Sequence, residues 1–294
     1  MTNGFKKYGG QGTSITGKPA QTCKEPGHYL ADPDLVDSVN AMLAVEQPLL
    51  VTGEAGTGKT MLAYSIAAEL ELGEVLLFPV RSDNQGKDVL YHFDNMRRFY
   101  DAQNKDVRAR DLSNYLEKRA LGEAICSDTR RVVLIDEIDK APRDFPNDLL
   151  NALDKMQLNI PELGQEPITA SVRPIVIITS NRESQLPDPF LRRCLFHNIE
   201  FPDKERLRLI LQERLGHLNL SARMLDRVLD IFYSIRDRKP QKPPATSELI
   251  TWVRILAKAE IREDALTGDP KNTPFLGSLL KIREDMDAIK GIQR

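Results

Sequence analysis

The sequence has few cysteines and histidines, and those it has are scattered. Its 294 residues include three cysteines, Cys23, Cys126 and Cys194, and four histidines. An odd number of distant cysteines fits neither a disulfide framework nor a zinc knuckle, and the histidines show no ligand spacing. We therefore expect a protein of the reducing cytoplasm whose histidines are structural or surface residues.

Long apolar runs and an excess of one charge are also missing. No apolar run reaches about 18 residues, which a transmembrane helix requires, and residues 1–10 lack the apolar core of a signal peptide. The 41 basic and 43 acidic residues give a net charge of −2. That balance carries no global signature of nucleic-acid or membrane binding. The composition favours a globular protein, and the length favours two domains.

Residues 53–60 carry the most specific motif in the chain. They read Gly-Glu-Ala-Gly-Thr-Gly-Lys-Thr and match the phosphate-binding pattern G-x-x-x-x-G-K-[ST]. A short apolar run precedes the motif and a helical stretch follows it, an order that aims backbone N–H groups and a helix N-terminus at phosphate. We expect Lys59 to reach the β- and γ-phosphates of ATP, and Thr60 to hold Mg²⁺. The expected nucleotide-binding residues are Gly53, Glu54, Ala55, Gly56, Thr57, Gly58, Lys59, Thr60 and Met61.

A second motif, at residues 131–137, is an apolar run that ends in two acids, Asp136 and Glu137. Such a run is typical of a strand covered on both faces of a parallel sheet. Acids at its carboxyl end lie where open α/β sheets bind ligands. We expect Asp136 to hold Mg²⁺, directly or through water, and Glu137 to polarise the attacking water.

The order of strand and helix signals predicts the fold class. Strand signals at 49–52, 75–80, 132–136, 175–180 and 195–201 alternate with helical stretches, which favours a parallel α/β sheet. After Pro202 only helical patterns remain, in four stretches. Residues 1–20 are rich in Gly, Lys, Ser and Thr and predict a flexible arm. We thus predict an arm (1–20), an α/β P-loop NTPase domain (21–203) and an all-helical domain (204–294).

From about Tyr29 to the C-terminus the chain resembles AAA+ ATPases, and within them the MoxR group. The resemblance implies that the helical domain is a lid and that subunits form a ring, expected to be a hexamer. It also implies a chaperone-like action on a protein client, or on a partner with a von Willebrand factor A domain. Tyr29 and Leu30 resemble the segment that packs on adenine.

Two stretches resemble the family's remaining catalytic motifs. Residues 175–181 are similar to the sensor-1 strand, whose terminal Asn181 would help to orient the attacking water. Residues 186–194 are similar to the box with the arginine finger, which one subunit lends to its neighbour's γ-phosphate. The following strand favours Arg193 as the finger, with Arg192 as the substitute.

Two further stretches fit the MoxR pattern, and one departs from the wider family. Residues 158–168 predict the pre-sensor hairpin. Residues 89–100, here called the insert, lie where the family inserts a loop into its second helix. They either face a pore or client, or form a folded surface hairpin with a basic edge. Ser247 stands about where a sensor-2 arginine is expected, and Arg254 follows two turns later.

Two other functions remain open from the sequence. A nucleic-acid motor, of helicase or restriction type, is suggested by five basic residues in and after the insert, although acidic residues intersperse them. A nucleotide-gated scaffold would bind ATP and hydrolyse it poorly. Asp136, Glu137 and the arginine box argue against the scaffold, because binding alone requires none of them. The basic residues are Arg97, Arg98, Lys105, Arg108 and Arg110.

Overall fold

The structure, a computed structural model, describes residues 7–10, 29–181 and 186–292. The chain divides into two compact units. The first comprises Met1–Gly53 and Gly58–Ile199, and the second comprises Glu54–Thr57 and Glu200–Arg294. Among the described residues, no helix has both the length and the apolar character needed to cross a bilayer.

The first unit is built on a five-stranded parallel sheet in the order β2–β5–β8–β1–β9. All five predicted strands lie in this sheet, so the predicted parallel α/β fold is confirmed. The strands of the described chain are β1 (Leu49–Gly53), β2 (Leu76–Pro79), β3 (Tyr91–Phe93), β4 (Leu116–Lys118), β5 (Val132–Asp136), β6 (Gln157–Leu158), β7 (Ile168–Thr169), β8 (Ile175–Thr179) and β9 (Leu195–Ile199).

Helices cover the sheet on both faces, which explains why β5 and β8 are continuous apolar runs. The sheet side chains alternate between two apolar cores, one on each face. The helices of the described chain are α1 (Pro33–Val45), α2 (Lys59–Glu69), α3 (Asn95–Gln103), α4 (Ala120–Ile125), α5 (Phe145–Lys155), α6 (Asp188–Leu191), α7 (Lys204–Leu215), α8 (Ala222–Asp237), α9 (Thr246–Lys258), α10 (Leu276–Leu279) and α11 (Arg283–Lys290).

Residues 7–10 are the described part of the predicted flexible arm (1–20), and the rest of that prediction lies outside the described residues. Residues 7–10 lie against α1 and α2. The Tyr8 ring is buried, its hydroxyl lies 2.9 Å from Ser65 Oγ, and its backbone N–H donates to Asn40 at 3.0 Å. Burial raises the pKa of the Tyr8 phenol to about 12. A single buried aromatic side chain thus fixes a polar stretch that composition alone describes as unstructured.

Two small antiparallel ladders, β3–β4 and β6–β7, flank the sheet. The second lies where the hairpin of residues 158–168 is predicted. Its Leu158 and Ile160 are buried in the core, so these two side chains cannot line a pore. The insert also adds an unforeseen strand, β3, whose Tyr91 and Phe93 are buried. Apolar side chains fix both ladders to the first unit. Because these segments are short and weakly periodic, their sequence does not predict this packing.

The second unit is all-helical, with α7–α9 and α11 packed around a core that includes the fully buried Trp252. Three of its four predicted helices are observed. The fourth, expected over 275–289, is two short helices, α10 and α11, separated by Leu280 in an extended conformation. Gly277 and Ser278, which are weak helix formers, make up half of α10.

Candidate active site

The glycine loop joins β1 to α2, as the motif predicts. Gly56 and Gly58 have φ angles of 79° and 96°, in the left-handed region that glycine adopts without strain. A Cβ placed on Gly58 would lie 3.0 Å from Cε2 of Tyr29. Tyr29, expected near adenine, is therefore packed against the phosphate loop, and the half-buried Leu30 follows it.

Lys59 begins α2 and is only 7% exposed. Its Nζ donates a hydrogen bond to the carbonyl oxygen of Gly53, 2.8 Å away, across the loop. A buried ammonium group needs partners of this kind. Its position holds a fixed positive charge between the end of β1 and the start of α2, where the phosphates of a nucleotide are expected.

Three oxygen-bearing side chains from three elements meet beside Lys59. Asp136, at the end of β5, accepts a hydrogen bond from Thr60 Oγ1 at 2.9 Å and from Thr179 Oγ1 at 2.7 Å. Magnesium prefers hard oxygen ligands and shares its shell with substrate phosphates. The Thr60 hydroxyl and the Asp136 carboxylate are oxygen donors of the kind that such an ion takes, and their assignment to Mg²⁺ stays a prediction.

Thr179, the last residue of β8, is a site residue that sequence reasoning missed. Its side chain is buried, donates to Asp136 and accepts from the backbone N–H of Glu137 at 2.8 Å. One hydroxyl thereby fixes both acids of the motif. The available signal was a polar residue closing an otherwise apolar run, Ile175–Thr179.

Replacing Thr179 by valine, which has nearly the same shape, should impair both folding and turnover. We expect the free energy of unfolding to fall by about 1–3 kcal/mol, because the Glu137 N–H loses its acceptor. ATP turnover should fall as Asp136 loses an orienting bond. Urea unfolding and an ATPase assay measure the two effects. Thr179→Ser keeps the hydroxyl and is the control; equal behaviour of the valine and serine variants would contradict the assignment.

Glu137 follows Asp136 with a left-handed backbone, φ 58° and ψ 53°. This conformation is costly for a residue with a side chain, and such residues concentrate at functional sites. Its carboxylate is ion-paired with Lys140. The hydrogen bond to Glu137 raises the pKa of Lys140 above its ordinary value. Both side chains are solvent-accessible, so this exposed pair leaves Glu137 able to meet a water molecule.

Asn181 lies two residues beyond the end of β8, the strand between β5 and β1. The strand order therefore brings Asn181 to the edge where the acids and the phosphate loop lie. Its backbone N–H donates to Asp139 Oδ1 at 3.0 Å, and the residue is exposed. Asp139 is a second residue near the site that the motifs did not single out.

Arg192 and Arg193 lie near the amino ends of the sheet strands. We call this side of the sheet the amino edge, and the side with the carboxyl ends of the strands the carboxyl edge. The two arginines precede β9, whose first residue, Leu195, donates to the carbonyl oxygen of Pro48 just before β1. Because the strands are parallel, this is the amino edge, whereas Lys59 and Asp136 lie at the carboxyl edge. Arg192 is exposed, and Arg193 is ion-paired with Asp154. The sheet thus separates both arginines from the nucleotide site of their own chain.

In the second unit, Glu54 is ion-paired with Arg236 at 2.8 Å. The Arg236 guanidinium also donates to the Pro244 carbonyl oxygen at 2.7 Å and lies 3.5 Å from the centre of the Phe201 ring. Sequence reasoning missed this arginine, which stands in the last turn of α8. Ser247 lies in the first turn of α9, and Arg254 is exposed further along that helix.

The sequence model of the AAA family, "ATPase family associated with various cellular activities", matches residues 49–203, more than half of the chain. The chain belongs to the AAA family. It is therefore a nucleotide-binding ATPase, and members of this family commonly assemble into rings. The match spans the phosphate loop, both acids, Asn181 and the arginine pair.

Solved structures similar to this AAA ATPase include the following two. The FIGL-1 AAA domain in complex with ADP is 19% identical, over 84% of this chain and 72% of that chain, with a TM-score of 0.43. The Thermotoga maritima RuvB P216G mutant is 14% identical, over 79% and 71%, with a TM-score of 0.44. No curated protein matches the chain. At these scores the two likenesses do not bear on the site residues.

Proposed function

We propose that this ATPase is a ring-forming enzyme of the MoxR type that uses Mg²⁺ and ATP to remodel or activate a protein partner. The observation that supports a shared site most directly is the separation of the arginine pair from the nucleotide site. Arg193 lies at the amino edge of the sheet and the phosphate loop at the carboxyl edge. An arginine so placed is too far from the nucleotide site of its own chain to act there, which supports a role at the site of another subunit.

Within one subunit, the proposed chemistry follows from the positions of the site residues. Lys59 and the loop N–H groups hold the terminal phosphates, while Thr60 and Asp136 hold Mg²⁺, which neutralises charge on the phosphates when bound. Glu137 polarises the attacking water, and Asn181 helps to orient it. Arg193 of a neighbouring subunit, or Arg192 as its substitute, meets the charge that develops on the transferred phosphoryl group.

The assembly itself can be tested without knowing the partner. The ATPase rate per subunit should rise with protein concentration, because isolated chains lack the neighbour's arginine. Light scattering of Glu137→Gln with ATP should detect a larger particle over the same concentration range. A rate per subunit that stays constant from dilute monomer to assembled particle would contradict a shared site.

The insert supports a client-facing role through α3. Met96, Phe99 and Tyr100 are large, apolar or aromatic, and exposed; they stand at i, i+3 and i+4 on one helix face. An exposed apolar patch of this kind marks an interaction surface. A buried hydrogen bond nevertheless anchors the helix, because Asp101 accepts from Tyr115 Oη at 2.9 Å. The insert therefore has both buried and exposed side chains, and the exposed ones support the client-facing proposal.

The pre-sensor hairpin and the base of the insert are joined to each other. Tyr91 Oη donates to Glu162 Oε2 at 2.9 Å. Burial and this bond raise the pKa of the Tyr91 phenol to about 12. Since the hairpin leads into β8, which carries Thr179, this contact offers a physical connection between a client on α3 and the nucleotide site.

Phe99→Ala and Tyr100→Ala should leave the fold and the basal ATPase nearly unchanged, while partner-stimulated turnover falls. The two side chains are 62% and 67% exposed, so we expect their loss to change the free energy of unfolding by only about 0.5 kcal/mol. Leu158→Ala is the contrasting variant. That side chain is 1% exposed, and its truncation should cost about 2–5 kcal/mol. A large fall in melting temperature for Phe99→Ala would overturn the client-facing assignment.

The partner can be sought with two variants that are expected to bind ATP without hydrolysing it, here called traps. Glu137→Gln with ATP should retain a protein partner, such as one with a von Willebrand factor A domain, and the same trap carrying Phe99→Ala and Tyr100→Ala should lose it. A nucleic-acid motor is the alternative, suggested by exposed Arg97 and Arg98 on α3. Nucleic-acid binding that weakens steeply with salt and stimulates the ATPase would favour that alternative.

A further inference from the structure

The C-terminal end of α5 carries a carboxylate, although the helix dipole disfavours a negative charge at that end. Asp154 is the penultimate residue of the helix (Phe145–Lys155), and the last turn of a helix has a partial negative charge. Its side chain is 43% exposed, so the packing of the core does not require it. The helix end already has a cation, because Arg173 Nη2 donates to the Leu153 carbonyl oxygen at 2.9 Å.

Asp154 instead contacts the candidate finger. Its Oδ2 accepts from Arg193 Nε at 2.6 Å, and the Pro189 carbonyl oxygen accepts from Arg193 Nη1 at 3.0 Å. These two contacts, one at Nε and one at Nη1, fix the orientation of the planar guanidinium. Among the described residues, none accepts from Nη2, so this nitrogen remains available to an external anion.

We propose that Asp154 is a positioning residue for phosphoryl transfer, which holds Arg193 so that Nη2 is presented to the γ-phosphate of a neighbouring subunit. This inference rests on the proposed function. An exposed ion pair contributes little to stability, but a long side chain held in one orientation is pre-organised for the transition state. Asp154 acts through Arg193 and does not itself touch the nucleotide.

The decisive variant is Asp154→Ala in the full-length, assembled protein. We expect kcat to fall roughly 10- to 100-fold, the range that misplacing a catalytic group produces, with KM for ATP unchanged. The melting temperature should stay the same or rise, since alanine is the best helix former and removes the unfavourable charge. Asp154→Glu keeps the carboxylate and should recover part of the lost rate. A purely structural role would instead lower stability and spare kcat.

Glu46→Gln is the matched control. Glu46 forms an exposed ion pair with Arg130 at 3.2 Å, also at the amino edge of the sheet, and we expect no change in kcat. The double variant Asp154→Ala with Arg193→Ala should be no slower than Arg193→Ala alone, because Asp154 acts through that arginine.

The outcomes separate the inference from the function on which it rests. If Arg193→Ala is slow but Asp154→Ala hydrolyses ATP normally or faster, the positioning role is wrong and the finger stands. If the two losses multiply in the double variant, Asp154 acts elsewhere and the inference is again overturned. If Arg193→Ala has full activity, the finger assignment fails, and the inference fails with it.

Discussion

Lys59→Ala is expected to abolish nucleotide binding by this ATPase. Lys59 is the fixed positive charge that the loop motif provides for the terminal phosphates, and its Nζ donates to the carbonyl oxygen of Gly53, the first residue of the motif. Without it, the backbone N–H groups face the phosphates without a neutralising charge. Binding of a fluorescent ATP analogue, followed by titration, measures the loss. Equal ATP affinity for the wild type and Lys59→Ala would contradict the assignment of the loop.

Glu137→Gln distinguishes binding from chemistry at the same site. The amide should leave ATP affinity intact, because the motif assigns the phosphates and Mg²⁺ to Lys59, Thr60 and Asp136, whereas the Glu137 carboxylate is ion-paired with Lys140. Turnover should stop, since a neutral amide cannot polarise water as a carboxylate does. Lys140→Gln, which removes the ion-pair partner of Glu137, is the accompanying variant and should retain ATP binding. If Glu137→Gln hydrolyses ATP at the wild-type rate, another residue is the base.

Arg193→Ala should bind ATP normally but hydrolyse it on the order of 10³-fold more slowly, by comparison with fingers supplied in trans. Arg192→Ala, tested in parallel, decides between the two neighbouring arginines. The separation of both from the site of their own chain is the physical reason to expect a defect in the assembled protein only. The measurement is the single-turnover rate at saturating ATP.

Mixing Arg193→Ala with Glu137→Gln provides the sharpest test of a shared site. Each variant lacks a different half, so some interfaces in a mixed ring contain both a working base and a working finger. Activity should reappear on mixing. Light scattering or cross-linking must first show that the two variants assemble together. Absence of rescue in such mixed assemblies would show that the two residues do not meet across an interface.

The sequence by itself determined the sheet and the centre of the site. The five central strands are short apolar runs whose carboxyl ends carry Gly53, Asp136 and Thr179, and their pattern follows from burial on both faces. The phosphate loop is equally local, because glycine at left-handed positions and a lysine at the start of a helix are properties of eight consecutive residues. Such features depend on near neighbours in the chain, so a single sequence specifies them.

Tertiary structure alone decided which side chains serve the site and which are core. The proposed roles of Thr179 and Asp154 depend on partners 43 and 39 residues away in the chain. No local pattern encodes such pairs. Leu158 is core while Phe99 is exposed, although both stand in short segments with similar apolar character. Strand order and packing decide whether each of these side chains is buried, because the free energy that buries a side chain comes from contacts with residues distant in the chain.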